Sequence, residues 1–357
     1  MKKHFYIKFL LFSCLLLVFG ACTDEPEIYE NTTFPVSYST NYQAVFGKPL
    51  TLQLTKNAEI KEVSFFMEDS LYQTWSNLTS DVNVAFDIAS LGLGAKRFTL
   101  KAKDKNGKEF VENQTIRILS DVIPQKLSAK VVTLYPHNAT DFTQGLEIAN
   151  GILYESTGDP DHIGATRIMQ KKLQTGETIK ETTLDGNYFG EGITILDNKL
   201  YQLTWTSQKC FVYDPISLSK SNATFSYTGE GWGLTNNGKE IIMSDGSERL
   251  FFRNPNTFQV TKIMSVYDNA GAIKNLNELE YVDGKIYANI WMSNDIVVID
   301  AQNGKVLQTI DCSEFVAKGK GNGDVLNGIA FDKNQNKFYL TGKYWAYLAE
   351  VVFKETL

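Results

Sequence analysis

Histidine is almost missing from this chain. Three occur in 357 residues, at positions 4, 137 and 162, and no CxxC or HExxH pattern accompanies them. The usual His/Cys zinc site is therefore excluded, and no metal or other cofactor is expected. Cysteine is nearly as scarce, with four in all. Cys14 and Cys22 lie at the N-terminus, which leaves Cys210 and Cys312, in the strand-like contexts KCFVYD and TIDCSE. Two buried free thiols are the expectation, although an exported pair of cysteines is also able to form a disulfide. An excess of positive charge is absent too: 35 Lys and Arg against 41 Asp and Glu leave a formal charge of −6. Nothing in that balance draws a nucleic acid, so none is expected as a partner. Apolar runs long enough to span a bilayer are missing as well. Helical periodicity is absent from about residue 130 onward.

The one long apolar stretch runs from Phe9 to Gly20, behind the basic start Met1-Lys2-Lys3-His4. It has the length of a secretory signal core. It ends in Phe19-Gly20-Ala21-Cys22, followed by the polar run Thr23-Asp24-Glu25-Pro26-Glu27. Small residues ahead of a cysteine resemble a bacterial lipobox. This implies a signal peptide over 1–21, cleavage before Cys22 and lipidation of its thiol. The expected product is an exported lipoprotein of the bacterial cell envelope, held to a membrane through Cys22 without spanning it. The alternative is a plain secretory signal with an incidental cysteine.

Residues 22–34 are polar and read as a tether. Over 35–120, short runs such as PLTLQLT, EVSFFMED, VNVAFDI and RFTLKAKD alternate apolar and polar residues. Period two broken by Gly, Asn and Asp marks half-buried antiparallel strands. About seven such runs predict a small immunoglobulin-like β-sandwich. No catalytic cluster lies in it, and it is read as a spacer or docking module. Residues 121–129 are expected to be a linker.

From 130 to 357 the sequence repeats itself. A turn followed by an aromatic or aliphatic strand recurs in NGILYEST, DNKLYQLTW, NGKEIIMSDG, DGKIYANIW and QNKFYLTGK. The equivalent positions Tyr154, Tyr201, Ile241, Tyr287 and Tyr339 are spaced 47, 40, 46 and 52 apart. A third strand follows each, and a fourth follows four of the five. Four strands per unit of this length predict β-propeller blades. The expected fold class is all-β: a five-bladed propeller preceded by the sandwich. The strand missing from the last blade is expected from residues 129–135.

Five blade entrances read FTQGLEI, FGEGITI, EGWGLTN, LNELEYV and LNGIAFD. They place Gln144, Glu191, Trp232, Asn277 and Asn327 around one face of a central funnel. The ends of the second strands return to the same face and are expected to add Glu155, Trp205, Asp245, Trp291 and Lys343. The scaffold repeats while these ten residues do not, as a site grafted onto a symmetric frame requires. Polar groups in an aromatic cup suit a small-molecule site. Each also has a plain structural reading: Trp205 and Trp291 as core, Asp245 as a turn residue, Asn277 as a strand cap. Glu191 reads equally as a partner of Lys343 or of a backbone amide. For Glu155 and Ser156 the bracing of a neighbouring blade is the favoured reading.

The motifs FTQGL, LYESTG, FGEGIT, LTW, GEGWGLT, SDGS, LNELEY, NIW, LNGIA and TGKYW, in this order, resemble the plant and bacterial type of glutaminyl-peptide cyclotransferase. The resemblance covers about 130–357. It implies a five-bladed propeller that converts N-terminal glutamine of peptides or proteins to pyroglutamate and ammonia, without a metal. By motif it implies Glu191 as general acid/base and Trp205, Trp232 and Trp291 as the aromatic pocket. Phe142, Gln144, Phe189, Asn277 and Lys343 fall at its other pocket positions, and Asp245 and Asn327 join the expected substrate-binding set. Lys343, Asn277 or Gln144 is left to donate to the oxyanion. The segment DPDHIGATRI after LYESTG is longer than the family pattern, which leaves one rim and any role of His162 open. Two rival readings remain: a non-enzymatic peptide- or sugar-binding propeller, and a calcium-dependent lactonase-type hydrolase using Glu191, Asn277 and Asn327.

Overall fold

The computed structural model describes residues 34–356, apart from 162, 163 and 165. The expected signal peptide, Cys22, the tether up to residue 33 and His162 lie outside the described residues. Among those described, no helix is long and apolar enough to cross a membrane.

The period-two runs of the N-terminal region form two sheets. One has three strands, Tyr38–Thr40, Leu50–Leu54 and Val82–Phe86; the other has five and includes Ile60–Met67, Gly94–Asp104 and Glu109–Leu119. Alternation puts Leu50, Leu52 and Leu54 inside, with Thr51 and Gln53 in solvent. Phe65 meets Phe86 of the opposite sheet at 4.7 Å and Phe98 at 5.1 Å, so the two sheets share one core.

The rest of the chain is built from four-stranded antiparallel units. Their first strands are Thr143–Ala149, Gly190–Leu196, Leu234–Asn236, Leu276–Val282 and Leu326–Asp332. These five strands lie beside one another in a closed cycle, the fifth against the first. The fifth unit takes its fourth strand from Gln125–Pro136, which pairs antiparallel with Tyr347–Glu355. A strand expected over 129–135 is thus found, and it is longer than expected. Its first residues also pair in parallel with Gln308–Asp311 of the fourth unit, joining two units into one eight-stranded sheet.

That pairing corrects the linker expected over 121–129. Ser120 N–H donates to Asp268 O at 3.0 Å, Lys305 Nζ lies 2.7 Å from Asp121, and the strand begins at Gln125. Backbone donors and acceptors in that segment find partners on both sides, which a free linker would leave to water. Tyr267, from the loop joining the third and fourth units, is buried in the core of the N-terminal sheets. A short helix, Ser313–Gly319, also interrupts a region where no helical period was seen. Its Phe315 packs edge-on against Trp345 at 5.0 Å, so tertiary packing rather than periodicity holds it.

The inner edges of the first strands face the axis, where no further strand can pair with them. Carboxylates take up their N–H groups. Glu278 accepts from Leu146 N at 3.1 Å and Ile329 N at 2.7 Å. Glu147 accepts from Ile195 N at 3.0 Å and Glu280 from Phe331 N at 3.1 Å.

Candidate active site

The mouth of the ring follows from one repeated hydrogen bond. Phe142 O accepts from Gly158 N (2.9 Å), Phe189 O from Trp205 N (3.0 Å), Asn275 O from Trp291 N (2.8 Å) and Val325 O from Lys343 N (3.0 Å). Trp205, Trp291 and Lys343 therefore hold equivalent places, and Gly158 holds the place expected for Glu155. The third unit departs from the pattern, with Trp232 N donating to Ser244 O at 3.1 Å.

Glu155 is corrected on that ground. It pairs opposite Leu146, three residues before the mouth, and is fully buried. Lys171 Nζ lies 2.5 Å from both Glu155 and Asp141, and His137 Nε2 lies 3.1 Å from Glu155. Lys171 and His137 together hold the Glu155 carboxyl well below its usual range, against the cost of its burial. Ser156 accepts from Gln202 of the second unit at 3.0 Å, a brace between neighbours. Among the described residues, His137, Asp141 and Glu155 bring ligand atoms within 4.8 Å of one another. The Lys171 ammonium fills the place a cation would take there.

Glu191 sits in the first strand of the second unit, 4% exposed. Gln144 Nε2 donates to its Oε1 at 3.2 Å, and Asn327 Nδ2 donates to Gln144 Oε1 at 3.2 Å. Asn327 Nδ2 also donates to Thr143 O at 3.0 Å, which fixes which way that carboxamide points. Its Oδ1, like that of Asn277, is buried without a partner among the described residues. Such an acceptor costs about 1–3 kcal/mol unless a ligand or water meets it. Burial pushes the Glu191 carboxyl well above its usual range; Lys343 opposes the shift and Glu230 adds to it. Burial pushes the Lys343 ammonium down, opposed by Glu191. Lys343 Nζ stands 4.6 Å from the centre of the Phe142 ring.

The glycines beside Glu191 answer to packing rather than to access. A Cβ on Gly192 would stand 2.5 Å from Leu234 N and 2.7 Å from Trp232 O. Adjacent first strands approach so closely at this level that no side chain fits between them.

An aromatic belt surrounds these groups. Tyr344, Phe142, Phe189 and Trp205 contact in succession at 5.1, 6.1 and 5.7 Å, and Trp232 meets Trp291 edge-on at 5.7 Å. Trp205 and Trp291 remain 41% and 42% exposed, too open for core residues. Trp205 and Trp232 both donate to Glu230. Asp245 stays in its own turn, accepting from Ser247 Oγ at 2.5 Å and lying 3.6 Å from Arg249, as the plain reading had it. Sequence reasoning passed over Tyr344 and Glu230. The signal for Glu230 was present, because in EGWG it stands where the first two entrances have Phe142 and Phe189.

The sequence model of the glutamine cyclotransferase family matches residues 107–353. A glutaminyl-peptide cyclotransferase of Arabidopsis thaliana is 36% identical over 231 residues, covering 63% of this chain and 71% of its own length. The crystal structure of Myxococcus xanthus glutaminyl cyclase superposes with a TM-score of 0.62 at 34% identity, covering 66% of this chain and all of that one.

Proposed function

Because the chain belongs to the glutamine cyclotransferase family, and so converts N-terminal glutamine of peptides or proteins to pyroglutamate, we propose that the cup around Glu191 is where it does so. The observation that carries this reading is a buried carboxylate with a raised proton affinity, beside a buried lysine, inside a ring of indoles.

The α-amine of the substrate attacks its own side-chain amide carbon, forming the ring C–N bond and breaking the bond to the amide nitrogen. Nucleophile and electrophile are already tethered, so the site has to select the folded rotamer and manage protons. Trp205, Trp232, Trp291, Phe142 and Phe189 enclose the glutamine side chain. Glu191 takes a proton from the attacking amine and delivers it to the departing nitrogen, which leaves as ammonia. A raised proton affinity suits a group that must both accept and donate a proton. Lys343, a buried ammonium at the mouth, is assigned as the donor to the oxyanion. The unpartnered oxygens of Asn277 and Asn327 receive N–H groups of the substrate.

Five four-stranded units with adjoining first strands support a five-bladed propeller over 130–357, and two sheets on one core support an immunoglobulin-like sandwich over 35–120. Lipidation at Cys22 and a place on the envelope membrane follow from the sequence alone. The test of the catalytic reading is ammonia release from a peptide with N-terminal Gln, by wild type and Glu191→Gln, with a chelator present. The variant should lose about two or more orders of magnitude in kcat. Near-normal turnover would remove Glu191 from the role, and a chelator-sensitive wild type would favour the hydrolase-type alternative.

A further inference from the structure

Two tryptophans on different units share one acceptor atom. Trp205 Nε1 donates to Glu230 Oε2 at 2.7 Å, and Trp232 Nε1 donates to the same oxygen at 2.9 Å. Trp205 directly follows the second strand of the second unit, while Glu230 and Trp232 precede the first strand of the third. Trp205 is 41% exposed, so packing alone does not fix its ring. An indole N–H can only donate, and a charged acceptor makes its bond stronger than a neutral one would. The segment also adjoins Glu191, since Gly192 N donates to Trp232 O at 2.7 Å, and the Glu230 carboxylate is among the charges that act on Glu191.

We propose that Glu230 is a positioning residue for the cyclisation: one oxygen holds both indoles as a single wall of the glutamine pocket, and its charge reaches Glu191 from the adjoining segment. The inference rests on the assignment of Glu191 given above. Glu230 touches no reacting atom in this scheme. Its place in the ring accounts for the break in the entrance pattern, since a phenylalanine there could accept neither indole. Of the charged groups, Lys343 faces Glu191 from the fifth unit and Glu230 from the third, and Tyr227 feels the Glu191 charge from the same segment as Glu230. Lys343 lowers the proton affinity of Glu191 and Glu230 raises it.

Glu230→Gln and Glu230→Ala separate the two effects. Glutamine keeps an oxygen able to accept both indole N–H groups and carries no charge; alanine removes both. Steady-state ammonia release, a pH profile of kcat and acrylamide quenching of tryptophan fluorescence are measured on each. Glu230→Ala should raise KM about tenfold, the scale of losing charged hydrogen bonds, and make the indoles more quenchable. Glu230→Gln should keep KM within about twofold, a shift small beside one lost hydrogen bond. Its acidic limb of kcat should move to lower pH, because a negative neighbour that favours protonated Glu191 is gone. Wild-type KM and quenching in Glu230→Ala overturn the clamp, and an unmoved acidic limb in Glu230→Gln overturns the electrostatic part. Either result beside an inactive Glu191→Gln refutes this inference alone. Full turnover by Glu191→Gln refutes the assignment beneath it.

Discussion

At the scale of the residue, Glu191 is defined by what its neighbours permit. It is buried, it accepts from Gln144, and Gly192 beside it exists because the next strand leaves no room for a Cβ. Gly192→Ala should therefore destabilise the protein by about 1–3 kcal/mol, the usual cost of overpacking. It should also lower kcat, since a strand pushed aside carries Glu191 with it. Urea unfolding and ammonia release would check this, and a variant with wild-type midpoint and turnover would sink the packing argument. Glu191 itself was legible in FGEG. Glu155 shows where reading fails, because a shift of three residues along one strand exchanges a mouth position for a buried ion pair. No pattern in LYESTG marks which residue reaches the mouth.

At the scale of the element, closure depends on the strand Gln125–Pro136. Its final residue leads into His137, whose Nδ1 lies 2.6 Å from Trp345 O and whose other nitrogen reaches Glu155. The end of the closing strand is thus tied to both the first and the fifth unit. Lys171 completes the tie by holding Asp141 and Glu155 together. Lys171→Met leaves two buried carboxylates without their shared cation. Removing one partner of a buried pair typically costs about 3–5 kcal/mol, so the urea midpoint of Lys171→Met should fall accordingly. An unchanged midpoint would mean that His137 and Arg167, whose guanidinium lies 2.7 Å from Asp141, suffice. The closing strand was legible as an alternating run of spare residues before the first repeat. Its second, parallel partner was not, since pairing across 183 residues, as between Gln125 and Gln308, leaves no local trace.

At the scale of the whole molecule, the axis is lined with carboxylates that gain proton affinity on folding. Burial pushes Glu147 up to about 7 and holds Glu278 and Glu280 well above the usual range, as it does Glu191. His137 is raised above 6.5, because Glu155 outweighs the cost of its burial. A group whose proton affinity is higher in the folded state stabilises fully below its unfolded pKa. That contribution is lost as pH rises through the folded value. The thermal midpoint should therefore fall from pH 5 to pH 8. Lys343, which burial pushes down from 10.5, opposes this as one group against four carboxylates. Glu155, whose affinity is lowered, weakens the fold only as pH drops below 4.5. A midpoint that rises across the window would show that the axial carboxylates are met by charges not identified here.

The sequence by itself determined the all-β class, the repeating four-strand unit, the ordered motifs of the family and the place of Glu191 in an inner strand. These depend on local period and spacing, which a linear chain displays directly. Only the tertiary structure decided which side chains meet at the mouth. It put Gly158 where Glu155 was expected, kept Asp245 in its own turn and brought Glu230 between two indoles from different units. It also fastened the segment expected to be a linker to one strand 183 residues away and to another more than 220 away. Each of these rests on the register between strands. A shift of a single residue there turns every side chain to the other face, while the composition and period of the strand stay the same.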